Sequence, residues 1–349
     1  MYLTILSQTI TEVNNLKLSI LDQSPISSGK TARDALRTSI ELAQLGEKLG
    51  YERFWIAEHH DLFGLACPNP DVMIGVIGSQ TEKIKIGAGA VLLPYYKPFR
   101  VAETYNLLAT LFPNRIDLGL GRAPGGSAEV SLALSDNYLR EVQRYSESID
   151  ELLNFLYHRF PKDHRYSNIS PTPIPNTPPQ TYLLGTSEKS AVLAAEKGMK
   201  YAFGHFMTEV DGPKVVEMYR NSFRKKDVDP YVIIAIHVIV ADTKEKADDI
   251  ALSTIVWNLL QQKQPDGSLS VPSISEAKKY SFSEKERIYL YEIKNNMIIG
   301  DPETVKEKLT HLQKLYQADE FMVVTITHQK EDKFRSYKLL KEIMDTDRM

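Results

Sequence analysis

The stretch Arg53-Phe54-Trp55-Ile56-Ala57-Glu58-His59-His60-Asp61 decides how this chain is read. Phe54 to Ala57 is a short apolar run of the kind that makes a fully buried strand. It follows a helix-like segment that stops at Gly50, and it ends abruptly in three ionisable side chains, Glu58, His59 and His60. In barrels and open sheets of alternating strands and helices, chemistry sits at the carboxyl ends of the strands. The reading therefore turns on whether other strands end in similar polar or glycine-rich groups.

Working outward, Leu16–Leu21 reads as the first strand, leaving through Asp22-Gln23-Ser24-Pro25, and Arg53–Ala57 as the second. Ile84–Leu93 is the third. Arg115–Leu120 is the fourth, ending in Gly121-Arg122-Ala123-Pro124-Gly125-Gly126. Thr181–Leu184 is the fifth, followed by Gly185-Thr186-Ser187. Lys200–Phe203, Val232–Val240 and Glu320–Thr325 complete the set, with Gly204-His205-Phe206 after the sixth. Helical spacing or composition predicts helices over Thr31–Leu49, Asp71–Gln80, Arg100–Leu111, Tyr138–Tyr157, Glu188–Lys197, Pro302–Leu315 and about Lys333–Met344. Eight strands alternating with helices predict an α/β chain folded as a (β/α)8 TIM barrel, with a doubly wound open sheet as the alternative. Residues 1–15 read as a lead-in segment and 16–349 as one barrel domain. Phe160–Gln180 is a proline-rich excursion, and Gln261–Asn296 is polar and interrupted, partly helical near Glu284–Lys294. The stretches after strands four and seven exceed ordinary barrel loops, so they read as insertions, either decorative or acting as a lid.

The composition is that of an ordinary soluble protein: 349 residues, 42% hydrophobic and 25% charged. A net charge of -3 gives no support for a nucleic-acid surface. The lone cysteine, Cys67, cannot form an internal disulfide, which fits a reducing cytoplasm. No apolar run approaches the ~20 residues of a membrane span, and the amino terminus lacks the pattern of a secretory signal.

The strand ends collect Glu58, His59, His60, Gly89, Ala90, Gly121, Arg122, Thr186, Ser187 and His205. A metal is not expected: adjacent His59 and His60 on an extended strand point to opposite faces, and the His-Glu-x-x-His spacing is absent. An anion is better served. Ser187 is placed to cap the helix that follows, with Ser190 three positions on. That helix start also offers free N–H groups, and Arg122 can supply a counter-charge from the neighbouring strand end. Capping alone also accounts for Ser187, and the pattern does not name a ligand. Gly87-Ala88-Gly89 fails the dinucleotide fingerprint at its third glycine, Gly119-Leu120-Gly121 lacks the spacing, and there is no P-loop or nucleophile elbow.

Taken together, these motifs are similar to those of one family. Trp55-Ile56-Ala57-Glu58-His59-His60 with Phe63-Gly64 and Pro68-Asn69-Pro70 resembles the second-strand motif of the bacterial-luciferase-like flavin monooxygenases. Ile86–Pro94 with Pro98, Arg100 and Ala102-Glu103 looks like their third strand and helix, Asn114–Arg122 like their fourth strand, and Leu184–Gly198 like their phosphate-binding unit. The order matches from about Leu18 to Thr327, and Gly121–Gly125 looks closest to the single-chain branch. The resemblance implies a barrel that binds reduced FMN at its carboxyl face. It puts His59 beside the flavin ring as the catalytic residue, an imidazole with a pKa near working pH that can hydrogen-bond or shuttle a proton, and Gly89-Ala90, joined by a cis bond, against the ring. Arg122, Ser187 and Ser190 fall on the phosphate ligands, within the Gly185-Thr186-Ser187 turn and its helix. His60 and His205 receive no role. The implied reaction is oxidation of a small organic substrate by molecular oxygen, with reduced FMN drawn from a separate NAD(P)H:flavin reductase, in a cytoplasmic homodimer. An F420-dependent oxidoreductase on the same barrel and a non-catalytic flavin-binding protein are the alternatives.

Overall fold

The computed structural model describes residues 16–224, 228–263 and 269–345. The expected lead-in, residues 1–15, lies outside them. Nine strands form one sheet: β1 (Lys17–Asp22), β2 (Arg53–Ile56), β3 (Lys85–Leu92), β4 (Ile116–Gly121), β5 (Gln180–Gly185), β6 (Lys200–Gly204), β7 (Val232–Val240), β8 (Met297–Gly300) and β9 (Glu320–Val324). Every pairing is parallel. The sheet runs from β1 through β2, β3, β4, β5 and β6 to β7, and β7 closes through β9 back to β1. This is a closed eight-stranded parallel barrel ringed by helices, the expected (β/α)8 architecture.

Local chemistry sets up the decisive strand. Helix Ala32–Leu49 opens on a capping box, in which Thr31 and Asp34 satisfy each other's backbone N–H groups. It stops at Gly50, whose φ of 74° suits a residue without Cβ. The chain then enters β2, and its side chains alternate. Phe54 and Ile56 pack outward under the helices, whereas Trp55 points inward with Tyr182, Ile233, Ala235 and Met322.

The amino-terminal end of the barrel is closed by charge. The Arg53 guanidinium donates to Asp117 at 2.7 Å, to Glu320 at 2.7 and 3.0 Å, and to the Tyr182 hydroxyl at 2.8 Å. Trp55 Nε1 donates to the same Asp117 oxygen as Arg53, and the Tyr231 hydroxyl to the Glu320 oxygen that accepts from Arg53 Nη2. Chemistry is thereby left to the opposite end.

The structure corrects the expected elements in several places, and adds helix Gly212–Ser222, which was not expected. Met297–Gly300 is a strand, so the stretch expected as the eighth strand is the ninth in chain order. The amino-terminal half of β7 pairs with β6, and its carboxyl-terminal half, from His237, pairs with β8. His237 aligns with Val324 of β9 and with Met297, so β8 lies on the edge opposite β9, following β6. Four apolar residues after a polar helix are too short a signal for periodicity. The helix expected over Tyr138–Tyr157 is two, Tyr138–Gln143 and Tyr145–Tyr157, broken at Arg144, and a further helix spans Ala128–Leu134. After β7 comes helix Lys244–Lys263. Residues 269–273 then return to the β1 exit loop, where Val271 exchanges backbone bonds with Ile26 and Ser28. No helix of the described residues is long and apolar enough to cross a membrane.

Candidate active site at the carboxyl face

A cavity of about 400 Å³ opens at the carboxyl end of the barrel. His59, Gly89, Ala90, Arg122, Gly185, Thr186, Ser187 and Ser190 all line it, so every residue singled out in the sequence for cofactor contact converges on one space. Its floor and one wall are apolar: Leu21, Trp55, Ala57, Ala202, Ala235 and Met322. The insertion after β4 contributes Ala123, Gly125 and Tyr145, whereas no described residue of the stretch after β7 reaches the lining.

The end of β2 fans its polar side chains apart, as expected for neighbours on extended backbone. His59 faces the cavity. Its Nδ1 is buried with no hydrogen-bond partner. Burial, with a smaller push from His60, lowers its pKa to about 4, so the ring is neutral at physiological pH. This departs from an imidazole poised near working pH: a neutral ring can donate or accept a hydrogen bond, but it is not an imidazolium acid. His60 turns away, its Nε2 2.8 Å from Glu58 Oε1 and its ring edge-on to Tyr95.

On β3, the Gly89–Ala90 peptide bond is cis. A Cβ at position 89 would stand 2.9 Å from Leu21 Cδ1 and 3.1 Å from Trp55, so glycine keeps this wall flat.

Another part of the lining is a capped helix start. Ser187 caps helix Glu188–Glu196 in a reciprocal box with Ser190. The Ser190 hydroxyl is already committed, donating to the Ser187 carbonyl at 2.7 Å and lying 2.9 Å from the Tyr201 hydroxyl. Gly185 closes over it: a Cβ there would fall 2.3 Å from Ser190 Oγ. Arg122 also lines the cavity just after β4, the strand paired with β5, and its carbonyl accepts from Tyr138 at 2.7 Å. Tyr145, the first residue of helix Tyr145–Tyr157, was not singled out in the sequence. Its hydroxyl is buried, lines the cavity, has no hydrogen-bond partner and lies within the field of Arg122. A lone tyrosine at a helix start carries no motif, and only the fold brings it to this corner. His205, unassigned in the sequence, lies outside the lining and bonds the Tyr316 hydroxyl at 2.8 Å. Among the described residues no group of three or more metal-ligating side chains is present.

A (β/α)8 barrel whose carboxyl face opens on an apolar wall and a capped helix start is the frame of this site, and similarity to known proteins places the chain in an oxidoreductase family. The sequence profile of the luciferase-like monooxygenases matches residues 16–318, and the chain belongs to that family. It is 35% identical over 332 residues to the N-acetyl-S-alkylcysteine monooxygenase of Bacillus subtilis (strain 168), covering 94% of this chain and 98% of that one. The crystal structure of apo-MsnO8 superposes with a TM-score of 0.82 at 32% identity, covering 95% of this chain and 98% of the other. Two more distant structures share the fold. The oxygenating constituent of 3,6-diketocamphane monooxygenase from Pseudomonas putida, in complex with FMN, gives a TM-score of 0.71 at 18% identity over 94% of this chain and 97% of its own. An F420-dependent secondary alcohol dehydrogenase gives 0.64 at 16% over 95% and 99%.

Proposed function

We propose that this protein is an FMN-dependent monooxygenase, in which reduced FMN and molecular oxygen oxidise a small organic substrate. The observation that carries the reading is the pairing, in one cavity, of two unpartnered buried polar atoms, His59 Nδ1 and the Tyr145 hydroxyl, at a dry wall and an anion cradle respectively. Buried polar atoms without partners are costly, and a ligand with a polar ring and a phosphate would satisfy both.

The residues present fit that group. Arg122 would supply charge to a phosphate, the Glu188–Glu196 helix would offer the free N–H groups of its first turn, and Tyr145 would donate its hydroxyl. Gly89 and Ala90 line the cavity and would offer a surface to a planar ring. Reduced FMN, when bound, supplies the two electrons that let one oxygen atom enter the substrate and the other leave as water. Leu21, Trp55, Ala235 and Met322 keep water from the reacting end. His59, neutral, holds a hydrogen bond at Nδ1 or moves one proton through that atom.

Reduced FMN is taken from a separate NAD(P)H:flavin reductase, since the chain carries no complete dinucleotide fingerprint. The working form is a cytoplasmic homodimer. Leu107 and Leu111, one helical turn apart on Pro98–Leu111, are exposed and offer an apolar surface to a second copy.

The test is oxygen uptake by purified protein with FMN, NADH and an unrelated flavin reductase, against a panel of thioethers, aldehydes and ketones. Substrate-dependent product, formed only with the reductase present, is the expected result. Tight binding of F420 in preference to FMN would move the protein to the F420-dependent enzymes, and flavin binding without any turnover would make it a carrier.

A further inference from the structure

Glu58 is buried at the cavity edge, and the chemistry above gives it no task. Its side chain is 1% exposed and three donors meet it. Oε2 accepts from the Leu92 N–H at 2.9 Å, and Oε1 accepts from the Tyr96 hydroxyl at 2.6 Å and from His60 Nε2 at 2.8 Å. With its oxygens engaged by the Leu92 N–H, the Tyr96 hydroxyl and the His60 imidazole, the group is held from three sides and not free for the cavity.

What the carboxylate joins is informative. Leu92 ends the strand that carries Gly89 and Ala90. His60 follows His59, and its backbone N–H donates to the Gly125 carbonyl at 2.8 Å. Gly126 lies so close over His60 that a Cβ there would fall 2.3 Å from the His60 carbonyl oxygen. Tyr95, edge-on to the His60 ring, donates to the Pro124 carbonyl at 2.6 Å. One carboxylate therefore fastens the end of β2 to the end of β3 and, through His60, to the turn that carries Arg122.

We propose that Glu58 is a positioning residue, whose carboxylate holds His59 against the Gly89–Ala90 wall and in register with the Arg122 turn, so that both ends of one bound flavin are gripped together. This rests on the flavin reading above. A buried ion is a costly way to hold strands together, and a well-packed apolar side chain serves stability as well. What an apolar side chain cannot do is fix three donors from three segments in one geometry.

The test uses Glu58→Gln, Glu58→Ala and Tyr96→Phe in the full chain. Fluorescence titration gives the dissociation constants of FMN and riboflavin, and NMR of histidine-labelled protein follows the titration of His59, assigned with His59→Asn. Glu58→Gln keeps an acceptor for Tyr96 and His60 but turns an amide donor on the Leu92 N–H. It should weaken FMN and riboflavin alike, by about tenfold. The His59 titration should move up from about 4 toward its ordinary value as the ring loosens into water. Loss of a negative charge alone would move it down, so the direction separates positioning from electrostatics. Tyr96→Phe should show the same changes in smaller degree. If Glu58→Ala fails to fold, the other two variants carry the test. Folded Glu58→Gln with both affinities within about twofold of wild type and an unmoved His59 titration overturns the proposal. Should wild-type protein bind neither flavin, the flavin reading fails instead, and the His59 titration alone decides the role of Glu58.

Discussion

Arg53 and Glu320 meet side-on inside the amino-terminal end of the barrel, Nε to Oε1 at 2.7 Å and Nη2 to Oε2 at 3.0 Å. The same guanidinium holds Asp117, so one cation serves two carboxylates that water does not reach. Arg53→Met would leave both carboxylates unpaired, at a cost of about 3–5 kcal/mol. Urea unfolding measures this. Flavin affinity should stay at the wild-type value, because the cavity is at the other end. A loss of stability under ~1 kcal/mol would mean that the cluster rearranges or takes up protons.

Tyr145→Phe and Ser190→Ala separate binding from capping. Tyr145→Phe removes a free hydroxyl from the anion corner and should weaken FMN by about 1.5–3 kcal/mol while leaving riboflavin unchanged. Ser190→Ala removes a hydroxyl already bonded to Ser187 and Tyr201, so it should cost about 1 kcal/mol of stability and less FMN affinity than Tyr145→Phe. Titrating both flavins against both variants, with thermal melts, tests the order. The reverse order would show that Ser190 leaves its cap to meet the phosphate.

His59→Ala should keep the fold and the flavin but lose coupling. With a substrate found in the panel above, product formed per oxygen consumed should fall at least about tenfold, the balance appearing as hydrogen peroxide. Unchanged coupling would remove His59 from the chemistry.

Acid should destabilise the protein well above the usual carboxylate range. Burial lowers both His59 and His237 to about 4. The sign follows from proton counts. Between the unfolded value of 6.5 and about 4, the unfolded chain binds protons at these two positions that the folded chain refuses, so stability falls as pH drops through that window. The effect is on the order of 3 kcal/mol for each histidine. Asp71, raised by burial to about 6, works in the opposite sense and offsets part of it. Urea midpoints from pH 8 to 4 measure the net effect. His237→Gln should flatten the profile, and an unchanged profile would mean that His237 reaches water in the native state.

The sequence made the fold legible where strands were buried on both faces and ended in polar or glycine-rich turns, as at Trp55–His60 and Leu118–Arg122. It made His59, Arg122 and Ser187 legible because each stands at such an end. It did not show Tyr145, whose part depends on the path of a 58-residue excursion between β4 and β5 that no local pattern dictates. Nor did it show what Glu58 does. A carboxylate beside two histidines reads as reactive, and only burial among three hydrogen-bond partners shows it fastened in place. The pKa of His59 was misjudged for a related reason, since dehydration comes from residues distant in sequence.

The short strand β8 bears on how the chain comes apart. Its ladder with His237–Val240 ties the far end of the second insertion to a barrel strand, and the Val271 bonds to Ile26 and Ser28 tie the near end to the β1 exit loop. A segment sewn down at both ends has no opening of its own that leaves the sheet intact, so amides of residues 297–300 should exchange with solvent on the same slow clock as those of β7. Swapping this insertion for one from a relative would then amount to recutting the barrel's own hydrogen-bond ladder, and chimaeras that keep Met297–Gly300 and Val271 should survive where those that split them aggregate.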